Sequence, residues 1–397
     1  MNLVIYFVAL LALACQADAR PISRISNSVE ITKAHCDGDL VVVGGLHSIK
    51  LPPAMGWDDG CDIWIRNGDA HAGKKLIDFP TDANSKLYPK QVINITTFGG
   101  TWITKYIPGR YMLPNTTEIF VSGGPLGDDA NDGLSDLTPL QHINTAGRVI
   151  QSDFDLRQGS PIIAVDCGYT YNEQLSLGGA PVGGNLIQLS PNCKSGRFTW
   201  RFTPEPGQPG PCINFGDGAM LDLRLNYYGE LSGIDMYCNP YNIAGTGAIA
   251  GHNTPVLDIE GGKGSLVVHG AGDNDHAIWF DGPGIGTVQG LVVAGTFDSA
   301  IGLGAGGKLT NSPPVGCTGA ECYSVDILGA PTLNAIWRLQ GGSNILLGGP
   351  AAPGGYASLG ASAIVEGHSR LNVFGLTMPT LPPAITNDDG RVCVKQC

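Results

Sequence analysis

Residues 273–281 place three carboxylates, Asp273, Asp275 and Asp281, and the imidazole of His276 within nine positions. Two carboxylates facing one bond are the parts of acid/base glycoside hydrolysis, and carboxylates beside a basic residue can serve β-elimination through calcium. Asp298 follows one expected repeat later. The competing reading is structural: the cluster adjoins Gly270 and Gly272, where Asp and Asn are ordinary turn formers. Neither a G-H-G nor an R-I-K signature accompanies it, since Gly251-His252 and Gly367-His368 stand alone.

A second acidic stretch reads DDANDGLSDLTP, Asp128 to Pro139. It departs from the calcium loop of EF-hands at Ala130 and at Pro139, where a bidentate Glu belongs, although Asp128, Asp129 and Asp132 leave an isolated calcium as an expectation. No other cofactor is expected. The structural reading has Asp and Asn fold onto backbone N–H groups while Gly133 takes a positive φ and turns the chain into a helix. A third feature is aromatic. If Ile278 and Ile336 point inward, strand alternation sends Trp279 and Trp337 outward, with Gly302 as the equivalent position between them. The two indoles would then stand about two strand spacings, roughly 10 Å, apart, and could stack on alternate sugars.

What positions these residues follows from composition and period. The chain has 397 residues, a formal charge of −12 and 58 glycines, with 15% charged and 43% hydrophobic residues. That balance excludes disorder and argues against nucleic acid or an anionic membrane surface as partner. Residues 1–19 read as a secretory signal peptide, an apolar run too short to span a bilayer before Ala17-Asp18-Ala19. Cys15 lies in this leader and is a conceivable site of lipidation. The remaining ten cysteines pair locally by spacing: Cys36 with Cys61, Cys167 with Cys193, Cys212 with Cys238, Cys317 with Cys322, and Cys393 with Cys397. Both signals point to an extracellular or virion-surface location. Sequons occur at Asn94 and Asn115.

Residues 20–115 read as a small β domain, from the bursts Leu40–Val43, Ile63–Ile65, Val92–Ile95 and Thr101–Ile103. Residues 116–155 read as the strand Glu118–Val121, the acidic turn, and a helix from Thr138 to Ile150 with Thr138-Pro139 in its cap and first turn. From 156 to 397 no further helix is expected. There Ala-Ile recurs at Ala248-Ile249, Ala277-Ile278, Ala300-Ile301, Ala335-Ile336, Ala363-Ile364 and Ala384-Ile385, at intervals of 21 to 35 residues. Strands of one type precede several copies: Leu266–Val268, Leu291–Val293, Val325–Ile327 and Leu371–Val373. Variable intervals of this size suit the stacked coils of a parallel β-helix better than a propeller. The helix would cap one end and the segment after Ile385 the other.

The segment IFVSGGPLGDDANDGLSDLTPLQHINTA resembles the opening motif of right-handed β-helix proteins of the pectate-lyase-like superfamily. Matching positions are Phe120-Val121, Gly127, Asp129, Asn131 to Ser135, Thr138-Pro139, Ile143 and Ala146. The resemblance implies an all-β fold, a right-handed parallel β-helix with an N-terminal capping helix. It covers polysaccharide lyases, hydrolases, phage tail spikes and secreted surface proteins, and assigns no catalytic residue. A β module ahead of the helix looks like the layout of phage tail spikes, which are commonly homotrimers. The expected function is recognition of an extended carbohydrate such as a cell-surface glycan; cleavage of a polysaccharide, or a structural shell, are the alternatives.

Overall fold

The computed structural model describes residues 20–394 apart from internal stretches, the longest being 312–331, 349–361 and 375–383. The leader with Cys15, the Cys317/Cys322 pair, Cys397, Asn115 and the strand expected at Val325–Ile327 lie outside the described residues, as does the side chain of Cys393. The protein is mostly β, and its contacts divide it into two compact units, one reaching Tyr111 and including Ala130–Asp132, the other formed by Met112–Asp129 and the chain from Gly133 onward.

In the first unit the chain alternates between two sheets. Ile22–Ile25, Asp39–Val42 and Asp62–Asn67 pair in parallel, and Val92–Phe98 and Thr101–Tyr106 extend the sheet antiparallel. Val29–Glu30, His47–Lys50 and Lys74–Ile77 form a second parallel set. Alternation fills the space between them: Leu40, Val42, Ile49, Ile63, Ile65, Leu76, Ile93 and Ile95 are buried together. The Gly99-Gly100 pair, both at positive φ, supplies the tight turn that the hairpin needs. Cys36 and Cys61 are joined. Asn94 lies inside this unit, its amide donating to Asp62 Oδ1 at 2.9 Å and to the Ile63 carbonyl at 3.0 Å. It is therefore no glycan acceptor in the folded chain.

In the second unit the described strands run in parallel along four sets. One sheet runs Glu118–Val121, Ile162–Asp166, Leu186–Asn192, Met220–Arg224, Val256–Glu260 and Ile285–Val288. A second run stacks Thr170–Asn172, Ser195–Arg201, Leu231–Tyr237 and Leu266–Ala271 onto the first half of Leu291–Gly304. A third stacks Leu175–Leu177, Ile213–Gly216, Ile249–His252 and His276–Asp281 onto the second half of that strand, then Thr332–Leu339, Ser362–Val365 and Ala384–Thr386. Lys308–Asn311, Asn344–Gly348, Arg370–Phe374 and Arg391–Val394 form a further parallel set. Cys167–Cys193 and Cys212–Cys238 are joined, each spanning 26 residues.

The inward columns explain the repeats. Ile163, Leu189, Leu223, Ile259 and Val288 lie in register and buried, and so do Leu175, Ile213, Ile249, Ile278 and Ile301. The Ala-Ile copies at 249, 278 and 301 are thus true equivalents. Leu266–Val268 and Leu291–Val293 also pair in register, whereas Leu371–Val373 belongs to the separate set with Asn344–Gly348. The Ala-Ile column then breaks, because Ile301 pairs with Trp337 and not with Ile336. A one-residue shift between Ala335 and Trp337 follows, after which Ala363-Ile364 aligns with Ala384-Ile385.

The helix spans Ile143–Ser152, with Ile143, Ala146, Val149 and Ile150 buried. It starts later than the expected Thr138, and His142 occupies the N-cap. Leu140 is instead extended and bridges Val121, while Ser135 and Thr138 hydroxyls meet at 2.9 Å within the preceding turn. The open N–H groups are served by distant carboxylates: Asp129 accepts from Gln141 and His142, and Glu173 from Ile143 and Asn144, at 2.8 to 3.0 Å. Replacing Glu173 by alanine leaves two helix donors unserved and is expected to cost about 1–2 kcal/mol in urea-induced unfolding. Gly133 has φ +73, as expected.

Candidate functional site

The expected catalytic cluster is dispersed by the fold. Asp273 lies exposed in a turn closed by the Asp275 N–H on the Gly272 carbonyl at 3.1 Å, and Asp281 is exposed beyond the end of the buried run. Asp275 is buried; its carboxylate accepts from Asn239 at 2.9 Å, Ala271 N–H at 3.1 Å and His276 N–H at 2.9 Å. Burial raises its pKa to about 6. His276 is buried as well, and burial lowers its pKa to about 4. Its Nδ1 meets Ser299 Oγ at 2.8 Å and Asp298 Oδ2 at 3.9 Å. The residue types are those of an acyl-transfer triad, but serine and carboxylate approach the same ring nitrogen, whereas a triad needs them on opposite ones. Ser299 is also 0% exposed. These groups tie neighbouring strands together: Asp298 holds Arg338, whose Nη2 donates at 3.0 Å.

The tryptophan platform takes a different form. Trp279 pairs with Gly302, but Gly302 pairs onward with Arg338, so Trp337 is not the next equivalent position. Trp279 is only 7% exposed. Its indole covers the glycines: a Cβ built on Gly302 collides with Cε3, and one on Gly304 falls 2.8 Å from Cζ2. The ring also stacks on His276, centroids 4.7 Å apart. The glycine gap is filled by the tryptophan that was expected to flank it.

The acidic stretch DDANDGLSDLTP is spent on backbone. Asp129 serves the helix N-terminus and pairs His142 at 2.6 Å, while Asp132 accepts the Gly73 N–H. Burial pushes the Asp129 carboxyl up, but the hydrogen bond and charge of His142 prevail and hold it below the usual range. Among the described residues no group of three or more His, Cys, Asp or Glu side chains is placed to hold a metal ion.

A different set of side chains converges on one face of the first sheet of the second unit, where Gln188 and Asp222 are buried and Arg224, Asp258 and Glu260 are partly exposed. Gln188, Asp222 and Asp258 are in-register neighbours on three successive strands, and Arg224 pairs with Glu260 beside them. Asp222 Oδ2 accepts from Arg224 Nε at 2.7 Å and Gln188 Nε2 at 3.1 Å, and Arg224 Nε stands 4.0 Å from Glu260 Oε2. Asp222 is 3% exposed, and its Oδ1 has no hydrogen-bond partner among the described residues. Burial raises its pKa to about 6; Arg224 opposes that rise, and Glu260 and Asp258 add to it. The result is one carboxyl that takes up a proton more readily than an ordinary aspartate, set beside a second carboxyl on the next strand.

Sequence reading missed this site because its members are far apart along the chain. The available signal was the shared alternation of Leu221-Asp222-Leu223-Arg224 and Leu257-Asp258-Ile259-Glu260, in which the charged residues occupy equivalent outward positions. No helix among the described residues is long and apolar enough to cross a membrane. Comparison with protein-family models, with curated proteins and with solved structures found no match.

Proposed function

We propose that the second unit is a right-handed parallel β-helix and that the protein works outside the cell, binding an extended carbohydrate along the ladder of Gln188, Asp222, Arg224, Asp258 and Glu260. The in-register ladder is the observation that carries this reading. Parallel strands present one side chain about every 4.8 Å, and carboxylates, an amide and a guanidinium at that spacing offer acceptors and donors to successive sugar hydroxyls. The three disulfides support an oxidising compartment.

A glycan panel titrated against the full chain tests it. An Asp258→Ala/Glu260→Ala variant is expected to lose at least about tenfold in affinity, the worth of one charge-assisted hydrogen bond. Unchanged affinity in that variant, or no binding by any glycan, overturns the proposal.

The raised pKa of Asp222 favours a second reading, hydrolysis. Asp222 would protonate the leaving oxygen, and Asp258 would act on the sugar carbon or on water from the opposite side. New reducing ends appearing on incubation with the bound polymer, and absent with Asp222→Asn, would establish it.

A further inference from the structure

The second run of strands carries another solvent-facing ladder. Asn172, Arg201, Tyr237 and His269 are in-register neighbours on four successive strands. The rings of Tyr237 and His269 lie parallel, centroids 3.9 Å apart and planes within 8°. From the neighbouring strand on the other side, Arg201 places its guanidinium carbon 4.9 Å over the Tyr237 ring. Arg201 is exposed, Tyr237 is 39% exposed and His269 is half-buried.

Stacking holds the three side chains together, with Arg201 and His269 both packed on Tyr237. The free chemistry of the ladder is at the edges: guanidinium N–H groups, a phenol O–H and an imidazole nitrogen. Arg201 has no carboxylate within ion-pair distance among the described residues. The neighbouring Arg197 differs, being bound to Asp235 at 2.9 Å and to the carbonyls of Gly264, Ile234 and Ser265. The face therefore holds a pre-positioned, uncompensated cation with hydrogen-bond donors at its side. Arginine stacked on an aromatic ring keeps its planar fork for a second, in-plane partner. The net charge of −12 does not forbid an anion here, because fields from charges beyond about 8 Å are screened at physiological salt.

We propose that Arg201, Tyr237 and His269 form a binding site for an oxyanion, a sulfate, phosphate or carboxylate group. Arg201 supplies the charge and the fork, and Tyr237 O–H and a His269 N–H supply further donors. Burial lowers the His269 pKa, with Asp235 opposing and Arg197 and Arg201 adding to the shift. An anion beside the ring makes its protonation easier.

The test follows the ring ¹⁵N resonances of His269, assigned with a His269→Gln variant, in the full-length protein. Inorganic sulfate and inorganic phosphate are titrated separately against chloride at matched ionic strength. The expected result is a saturable shift with sulfate or phosphate, a rise in the His269 pKa, and about tenfold weaker binding in Arg201→Gln. Arg201→Lys is expected to restore only part, since an ammonium offers no planar fork. Parallel titrations with dextran sulfate and with oligogalacturonate separate a ligand-borne sulfate or carboxylate from a free ion. Equal shifts in chloride, no shift with any of the anions, or an unchanged response in Arg201→Gln overturns the assignment.

Discussion

Trp279→Ala is expected to destabilise the protein by about 3–5 kcal/mol, the usual cost of removing a large buried aromatic side chain, measured by urea unfolding. The indole packs on His276 and on the glycine backbone of the adjoining strand, so its loss opens a cavity between two strands. Gly302→Ala puts a methyl group where Cε3 already stands, and overpacking of this kind costs about 1–3 kcal/mol. The two defects compensate in space. The double variant Trp279→Ala/Gly302→Ala should therefore be more stable than the sum of the single changes predicts, by a coupling on the order of 1 kcal/mol. Strict additivity would mean that the ring is not packed on Gly302. If the proposed glycan binding holds, the folded Trp279→Ala protein should bind as the native chain does, which separates a packing residue from a sugar platform.

The inward half of the fold was legible because its signals are periodic. The Ala-Ile copies at 249, 278 and 301 fall on one buried column, and the Leu-Val-Val strands at 266 and 291 pair as expected. The cysteine spacing matched the three pairs that are described. What failed depended on partners that are remote in sequence. The helix start was misplaced because its N–H groups are served by Asp129 and by Glu173, the latter 30 residues beyond Ile143. A local Thr-Pro signal carries no information about either. The Trp279/Trp337 equivalence failed because a slip of one residue exchanges the two faces of a strand, and that slip is set by pairing. Closeness in sequence was likewise a poor guide to closeness in the fold. Asp273, Asp275 and Asp281 are near neighbours in sequence yet end in a turn, a buried network and an exposed strand end, whereas Gln188 and Asp222 touch across 34 residues.

Asp222 should leave its mark on the pH dependence of stability. Its folded pKa of about 6 lies above the unfolded value near 3.9, so between those pH values the folded state holds more protons than the unfolded chain. Its contribution is fully present below about pH 4 and is lost as pH rises through about 6, at most about 3 kcal/mol. Asp275 acts in the same direction over the same window. His276 acts oppositely: its folded pKa of about 4 lies below the unfolded value near 6.5, so its contribution grows as pH rises across that range. Glu173, His142 and His269 also titrate away from their ordinary values, so the Asp222 contribution is read as the difference between the native chain and a variant lacking this carboxyl. Asp222→Asn removes the buried charge and should flatten the curve, gaining about 1–2 kcal/mol at pH 7 and changing little at pH 4, after allowance for the weakened Arg224 contact. Urea unfolding across this range reads the effect, and a variant less stable than the native chain at pH 7 would show that the Arg224 pair outweighs desolvation. A carboxylate whose replacement stabilises the fold is one kept at a cost, and such costs are concentrated where a site must hold a reactive or binding-competent group.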